Sequence, residues 1–154
     1  MVFKISHASA DFLQEAWLMT GASVTGRRTF EIAHGWGGVP PGGVEAKYFV
    51  VTHTVPPEWV KPDSPFTFVT TGVEDAVALA RKAAGDKSVD LMGASIVQQC
   101  LQAELVDEIQ IDLAPVLLGS GVRLFDHIGG PIKLEQIEAV KGIDVTHIKY
   151  RVVR

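Results

Sequence analysis

The stretch Gly21-Ala22-Ser23-Val24-Thr25-Gly26-Arg27-Arg28-Thr29-Phe30-Glu31 passes from a short β-prone run through a glycine straight into a helix. Ala22 to Thr25 reads as a strand, Gly26 breaks it, and Arg27 to His34 has helical character up to the loop Gly35-Trp36-Gly37-Gly38. The first N–H groups of a helix lack intrahelical partners and lie at the positive end of its dipole. An anion placed there meets donors already aimed at it. Arg27 and Arg28 would add charge-assisted hydrogen bonds, and Thr29 a hydroxyl. On the residues alone, a surface helix start with solvated arginines stays open and is the commoner case.

Outward from this junction the chain alternates strands and helices. Upstream, Phe12, Leu13, Ala16, Trp17 and Met19 form a helical stripe over Asp11 to Met19, with Ser9 or Asp11 near its start and Gly21 past its end. Downstream, Lys47 to Thr52 and Phe66 to Thr70 are β-branched and aromatic, as buried strands are. Val73 to Ala84 is an Ala-rich helix closed by Gly85. Val89 to Met92 is a strand entering Gly93, and Ser95 to Ala103 carries Ile96, Val97, Cys100 and Leu101 on one helical face. Glu108 to Leu113 alternates as a half-buried strand does, and Lys133 to Val140 with Asp144 to Val153 predict a hairpin around Lys141-Gly142. Helices between strands, followed by strands alone, predict a mostly parallel sheet with an antiparallel edge.

Leu91-Met92-Gly93-Ala94-Ser95-Ile96 is thus a second strand-glycine-helix unit. Little bulk at Gly93 and Ala94 lets a ligand approach the backbone, and Ser95 is placed to cap the helix. Plain packing fits equally, and the spacing is not that of the dinucleotide fingerprint. Two such junctions in one sheet carry more weight, because ligands of open parallel sheets gather at the carboxyl ends of strands. Thr52 and His53 end another strand and could line an adenosine or simply face water. Gly35-Trp36-Gly37-Gly38 and Gly119-Ser120-Gly121 lack the Lys and Ser/Thr of a P-loop and read as turns. Cys100 has no neighbouring base and reads as core, and Asp11 and Glu15 form no evident carboxylate pair.

Composition bounds the rest. Fourteen Lys and Arg against eighteen Asp and Glu give a net charge of -4, which disfavours nucleic acid and anionic lipid, so any anion site must be local. A single cysteine forms no internal disulfide, and the five histidines are too scattered for a zinc site, so no metal is expected. No apolar run approaches a membrane span and Met1 to Ala10 lacks a signal pattern, so a cytoplasmic location is expected. The 154 residues suit one domain, 1–154. Exposed alternation near the C-terminus would suit a homodimer as well as a plain sheet edge.

GASVTGRRTFE, VVTHTVPPEW and LMGASIVQQCLQAELVDEIQIDLAPVLLGSGVRLFD, in that order, resemble the bacterial family related to dihydrofolate reductase and to the reductase domain of the riboflavin-pathway deaminase/reductase. The likeness runs from about Asp11 to Arg154. It implies a three-layer α/β fold, a mostly parallel twisted sheet with helices on both faces, and NADPH lying across strand ends. By motif match Gly26, Arg27, Arg28 and Thr29 would hold the 2′-phosphate and pyrophosphate, Thr52 and His53 would flank the adenosine, and Gly93, Ala94, Ser95 and Ile96 the pyrophosphate and nicotinamide side. The implied reaction is hydride transfer from NADPH to a pterin-like or ribosylamino-pyrimidine heterocycle, with a catalytic proton donor that the sequence does not name. The rival is a non-catalytic nucleotide-binding or structural module of the same fold. Family members open with a central strand and an Asp-Gly loop, whereas this chain joins the pattern at Val2-Phe3, so an N-terminally truncated domain lacking its first strand is expected. Such a sheet would leave unpaired backbone groups and an apolar slot.

Overall fold

A computed structural model describes residues 4–43 and 45–154; Val2-Phe3, where the family pattern is joined, lies outside them. Helix α1 spans His7–Met19. It begins four residues before the apolar stripe does, because the Ser6 hydroxyl accepts the Ser9 N–H at 3.1 Å and caps the first turn. Ser9 and Asp11 therefore lie inside the helix. Strand β1 (Thr20–Gly26) runs one residue further than expected, through Gly26, into α2 (Arg27–Ile32). The helical reading to His34 stops short here: His34–Gly38 is a separate 3₁₀ turn in which Gly35, Trp36 and Gly37 are all left-handed. β2 (Lys47–Val51), β3 (Phe66–Val69), α3 (Val73–Ala84), β4 (Ser88–Met92), α4 (Ala94–Gln102), β5 (Glu108–Leu113), β6 (Leu134–Lys141) and β7 (Thr146–Val152) follow.

Helix α3 matches its expected bounds, and its ends show why. Glu74 and Asp75 occupy the first turn, Arg81 and Lys82 the last, and Gly85 closes it with φ 62°.

The α/β class stands, with a four-stranded parallel sheet in the order β3-β2-β1-β4 and a three-stranded antiparallel sheet in the order β5-β7-β6. The antiparallel strands form a sheet of their own rather than an edge of the parallel one. Among the described residues β4 pairs only with β1, and β5 only with β7. A cleft of about 1160 Å³ lies between their outer edges.

One core spans both sheets. Ala22, Val24 and Phe49 pack against Ala76, Val77 and Ala80 of α3, and the cluster continues through Ile96 and Cys100 of α4 to Ile109 of β5. A second core, on the other face of β1 and β2, surrounds Phe30. This wholly buried ring meets Trp59 and Phe66 edge-on at 5.0 Å each and Phe68 at 5.4 Å. Gly35 borders this core: a Cβ there would collide with the Trp59 ring.

A long-range pair holds α1 to the second sheet. His147 is 1% exposed, its Nδ1 lies 2.7 Å from Asp112 Oδ1 on the neighbouring strand, and its ring packs on Phe12 at 5.1 Å.

The cleft holds one displaced carboxylate. Asp90 lies on β4 in register with Ser23 of β1. Asp90 is exposed along the cleft; partial desolvation there raises its pKa above the ordinary 3.8, opposed by a backbone hydrogen bond at Leu91.

Two outcomes test this packing. Phe30→Ala should cost about 3–5 kcal/mol in urea unfolding, because Trp36, Trp59, Phe66 and Phe68 all lose their partner. For Asp90 the folded protein binds the proton more tightly than the unfolded chain. Its contribution to stability is therefore full below the unfolded value of 3.8 and is lost as pH rises through the elevated folded pKa. Asp90→Asn should melt higher than the parent at pH 7 in thermal denaturation, with the gap closing as pH falls through that range.

Candidate functional site

The site is built where parallel strands end. Thr25 of β1 is in register with Met92 of β4, and Gly26 with Val51 of β2, so the segments after all three strands emerge on one rim. This is the carboxyl end of the sheet, where open α/β sheets receive ligands.

The two glycine junctions meet there. Gly26 is the N-cap of α2 in an extended conformation, so its own backbone does not require glycine. Gly93 is different. It caps α4 with φ 94°, a left-handed value that favours glycine, and a Cβ on it would lie 2.6 Å from Thr29 Oγ1. A Cβ on Gly26 would touch Ile96 Cγ1 at 3.4 Å, an ordinary contact. Gly26, Thr29, Gly93 and Ile96, read from two distant segments, thus stand together, and the starts of α2 and α4 lie side by side. Ile96 is buried and roots α4 in the core, while Ala94 borders the cleft beside β4.

The two arginines differ. Arg27 Nε donates to Glu31 at 2.6 Å, one helical turn on, and its Nη1 donates to Thr54 Oγ1 at 3.0 Å. It therefore clamps α2 to the segment after β2, and Glu31 offsets part of its charge. Arg28 is exposed and makes no ion pair among the described residues, so its guanidinium is the one available to an incoming anion.

Thr52 and His53 reach the same rim by different routes. Thr52 is buried, and its hydroxyl is occupied by the turn it closes: it donates to the Thr54 carbonyl at 2.7 Å and accepts the Thr54 N–H at 3.3 Å. His53 is exposed. Ser95 does not cap α4. The helix starts at Ala94 with Gly93 as cap, so Ser95 sits at the second helical position, where its hydroxyl accepts from the Gln99 amide at 3.1 Å.

Other features are structural. Cys100 is fully buried and desolvation pushes its thiol up to about 11, against a nucleophilic role. Gly119-Ser120-Gly121 lies in a loop with no helix after it, flanked by exposed Leu118 and Val122. Among the described residues no metal-ligating cluster occurs and no helix is long and apolar enough to cross a membrane.

Asp90 and His147 escaped the reading of the sequence. Asp90 had a visible signal: it is the one charge in the strand Ser88–Met92, between Val89 and Leu91, which pack on the larger core. His147 had none, because its partner Asp112 is 35 residues away and only the sheet brings them together.

The solved structures that this chain is similar to share the architecture. A putative riboflavin biosynthesis protein from Shewanella sp. PV-4 superposes with TM-score 0.73 at 24% identity, over 92% of this chain and 78% of that one. A pyrimidine reductase-like protein from Corynebacterium diphtheriae gives 0.67 at 16%, over 97% and 82%. RibD of Acinetobacter baumannii gives 0.67 at 15%, over 98% of this chain and 52% of that one. No curated protein matches. The profile of the RibD C-terminal domain matches residues 18–148, which take in both glycine junctions and all seven described strands but the last four residues of β7. The chain therefore belongs to the RibD C-terminal domain family.

Proposed function

We propose that this protein binds NADPH across the rim formed by Gly26–Thr29, the end of β2 and Gly93–Ile96, and reduces a small heterocycle of the pterin or ribosylamino-pyrimidine kind. Family membership supports a reductase role in riboflavin biosynthesis. The observation that carries the nucleotide reading is the contact at Gly93. Its bare α-carbon lets two helix starts share one rim, where a side chain would collide with Thr29.

In this reading the amides opening α4 and the Thr29 hydroxyl donate to pyrophosphate oxygens. Arg28 pairs with the 2′-phosphate. Arg27, braced by Glu31 and Thr54, fixes α2 against the adenosine end, where His53 offers an exposed ring. Bound NADPH would supply the hydride. The protein's part is to orient the reactants and to place positive charge where an otherwise acidic molecule has little.

A non-catalytic nucleotide-binding module is the second reading, in keeping with the open cleft that Gly93 and Ala94 border.

NADPH titration followed by Trp17, Trp36 and Trp59 fluorescence tests the site. NADH should bind at least about tenfold more weakly, since a charge-assisted hydrogen bond is worth about 1.5–3 kcal/mol. Arg27→Ala with Arg28→Ala should erase that preference. Gly93→Val, in a protein shown to be folded by circular dichroism, should abolish binding. Tight NADPH binding with no NADPH consumption on any pterin or ribosylamino-pyrimidine would leave the binding module and exclude the enzyme. Equal affinity for NADH and NADPH would remove the assignment of Arg28.

A further inference from the structure

The chain between β5 and β6 is tied down at one place and loose just before it. Gln98 of α4 donates its amide to the carbonyls of Arg123 and Leu124 at 2.9 and 3.2 Å, and Gln102, one turn on, donates to that of His127. Leu124 thereby borders the same cleft as Gly93 and Ala94. Upstream of this tether, no hydrogen bond holds any of residues 117–122 among the described residues. The segment curls round an open hollow of about 480 Å³ lined by Leu118 to Arg123 alone. With so few contacts it opens at little cost.

Its side chains nevertheless call for cover. Leu117, Leu118 and Val122 are 101%, 75% and 77% exposed, with only Gly119, Ser120 and Gly121 between them. Three such side chains on one short tip gain by burial wherever the tip finds a surface. Gly119 has φ 75°, and a Cβ on it would meet nothing within 4 Å, so glycine there serves the turn of the backbone and not packing.

Reach picks the surface. Gln98 stands one helical turn, about 5.4 Å, beyond Ala94. Ser120 is three residues from the tethered Arg123, an extended span of about 10 Å, so the tip reaches the start of α4. A ligand decides when it closes. The N–H groups opening α4 have no intrahelical partner. Apolar side chains laid over them on an empty rim would strip their water and return no acceptor. Once phosphate oxygens accept from them, closure forfeits nothing there and covers the ligand.

We propose that residues 117–123 are a ligand-gated lid. Open in the free protein, the lid folds about the Gln98 tether onto a nucleotide bound at the rim, lays Leu118 and Val122 against it beside the start of α4, and shuts out water. This inference rests on the nucleotide reading of the rim.

The test exploits the lone native thiol. Cys100 is fully buried, with its thiol pushed up to about 11, so in the Ser120→Cys variant bromobimane labels position 120 alone at neutral pH. The whole chain, so labelled, is titrated with NADPH and followed by bimane emission and by amide exchange, while tryptophan fluorescence of the unlabelled protein reports binding itself. Blue-shifted bimane emission and slowed exchange at 117–123 are expected, saturating with the tryptophan signal. Gln98→Ala should shrink the bimane response. Leu118→Ser combined with Val122→Ser, both at exposed positions, should speed NADPH release at least about tenfold in stopped flow. Binding seen by tryptophan with bimane and exchange unchanged would overturn the lid and leave the rim reading intact, whereas no NADPH binding at all would overturn both. Protection of 117–123 before NADPH is added, by self-association or by other residues of the chain, would also overturn the lid, as would unchanged release in the double serine variant.

Discussion

The approach of Thr29 to the bare α-carbon of Gly93 is the constraint on which the rim depends. Parallel pairing of β1 with β4 delivers two helix starts to neighbouring positions. Only a residue without a Cβ, free to adopt φ 94°, lets them close. Two helix N-termini side by side present amide donors and partial positive charge in one place, which an anion offsets. The arginines differ: Arg27 holds α2 to the segment after β2, while Arg28 makes no ion pair among the described residues.

The molecule is held by two cores of unequal reach. The larger runs through α3 and α4 from the parallel sheet to Ile109 of the antiparallel one, so it keeps the two sheets together where no backbone ladder joins them among the described residues. The smaller, centred on Phe30, fixes the start of α2 to β2 and β3 and thereby positions the rim. On the far side, Phe12 on His147, with Asp112 behind it, ties α1 across. The cleft survives in the gap that these contacts leave open. Asp90 lines it and makes no ion pair among the described residues.

Local signals made much of this legible. Helix α3 carries its acids and bases within its own twelve residues and its closing glycine directly after them, so pattern alone placed it. The junctions at Gly26 and Gly93 were visible as strand, glycine and helix in succession. What stayed hidden was set by distant residues or by competing caps. Helix α1 starts at His7 because Ser6 outcompetes Ser9 and Asp11, although no large apolar residue marks that turn. Ser95 bonds forward to Gln99 instead of capping, and Thr52 spends its hydroxyl on its own turn. The separation of the antiparallel strands into their own sheet follows from an edge that finds no partner, which alternation along a strand does not reveal.

The most direct test of the rim is a backbone amide map of the folded protein by NMR, recorded as NADPH is added. The account predicts the largest shift changes at Gly26–Thr29 and Gly93–Ile96 together, saturating with one affinity, and smaller ones at Thr52 and His53. Changes confined to one junction, or clustered away from the carboxyl ends of β1 and β4, would contradict it.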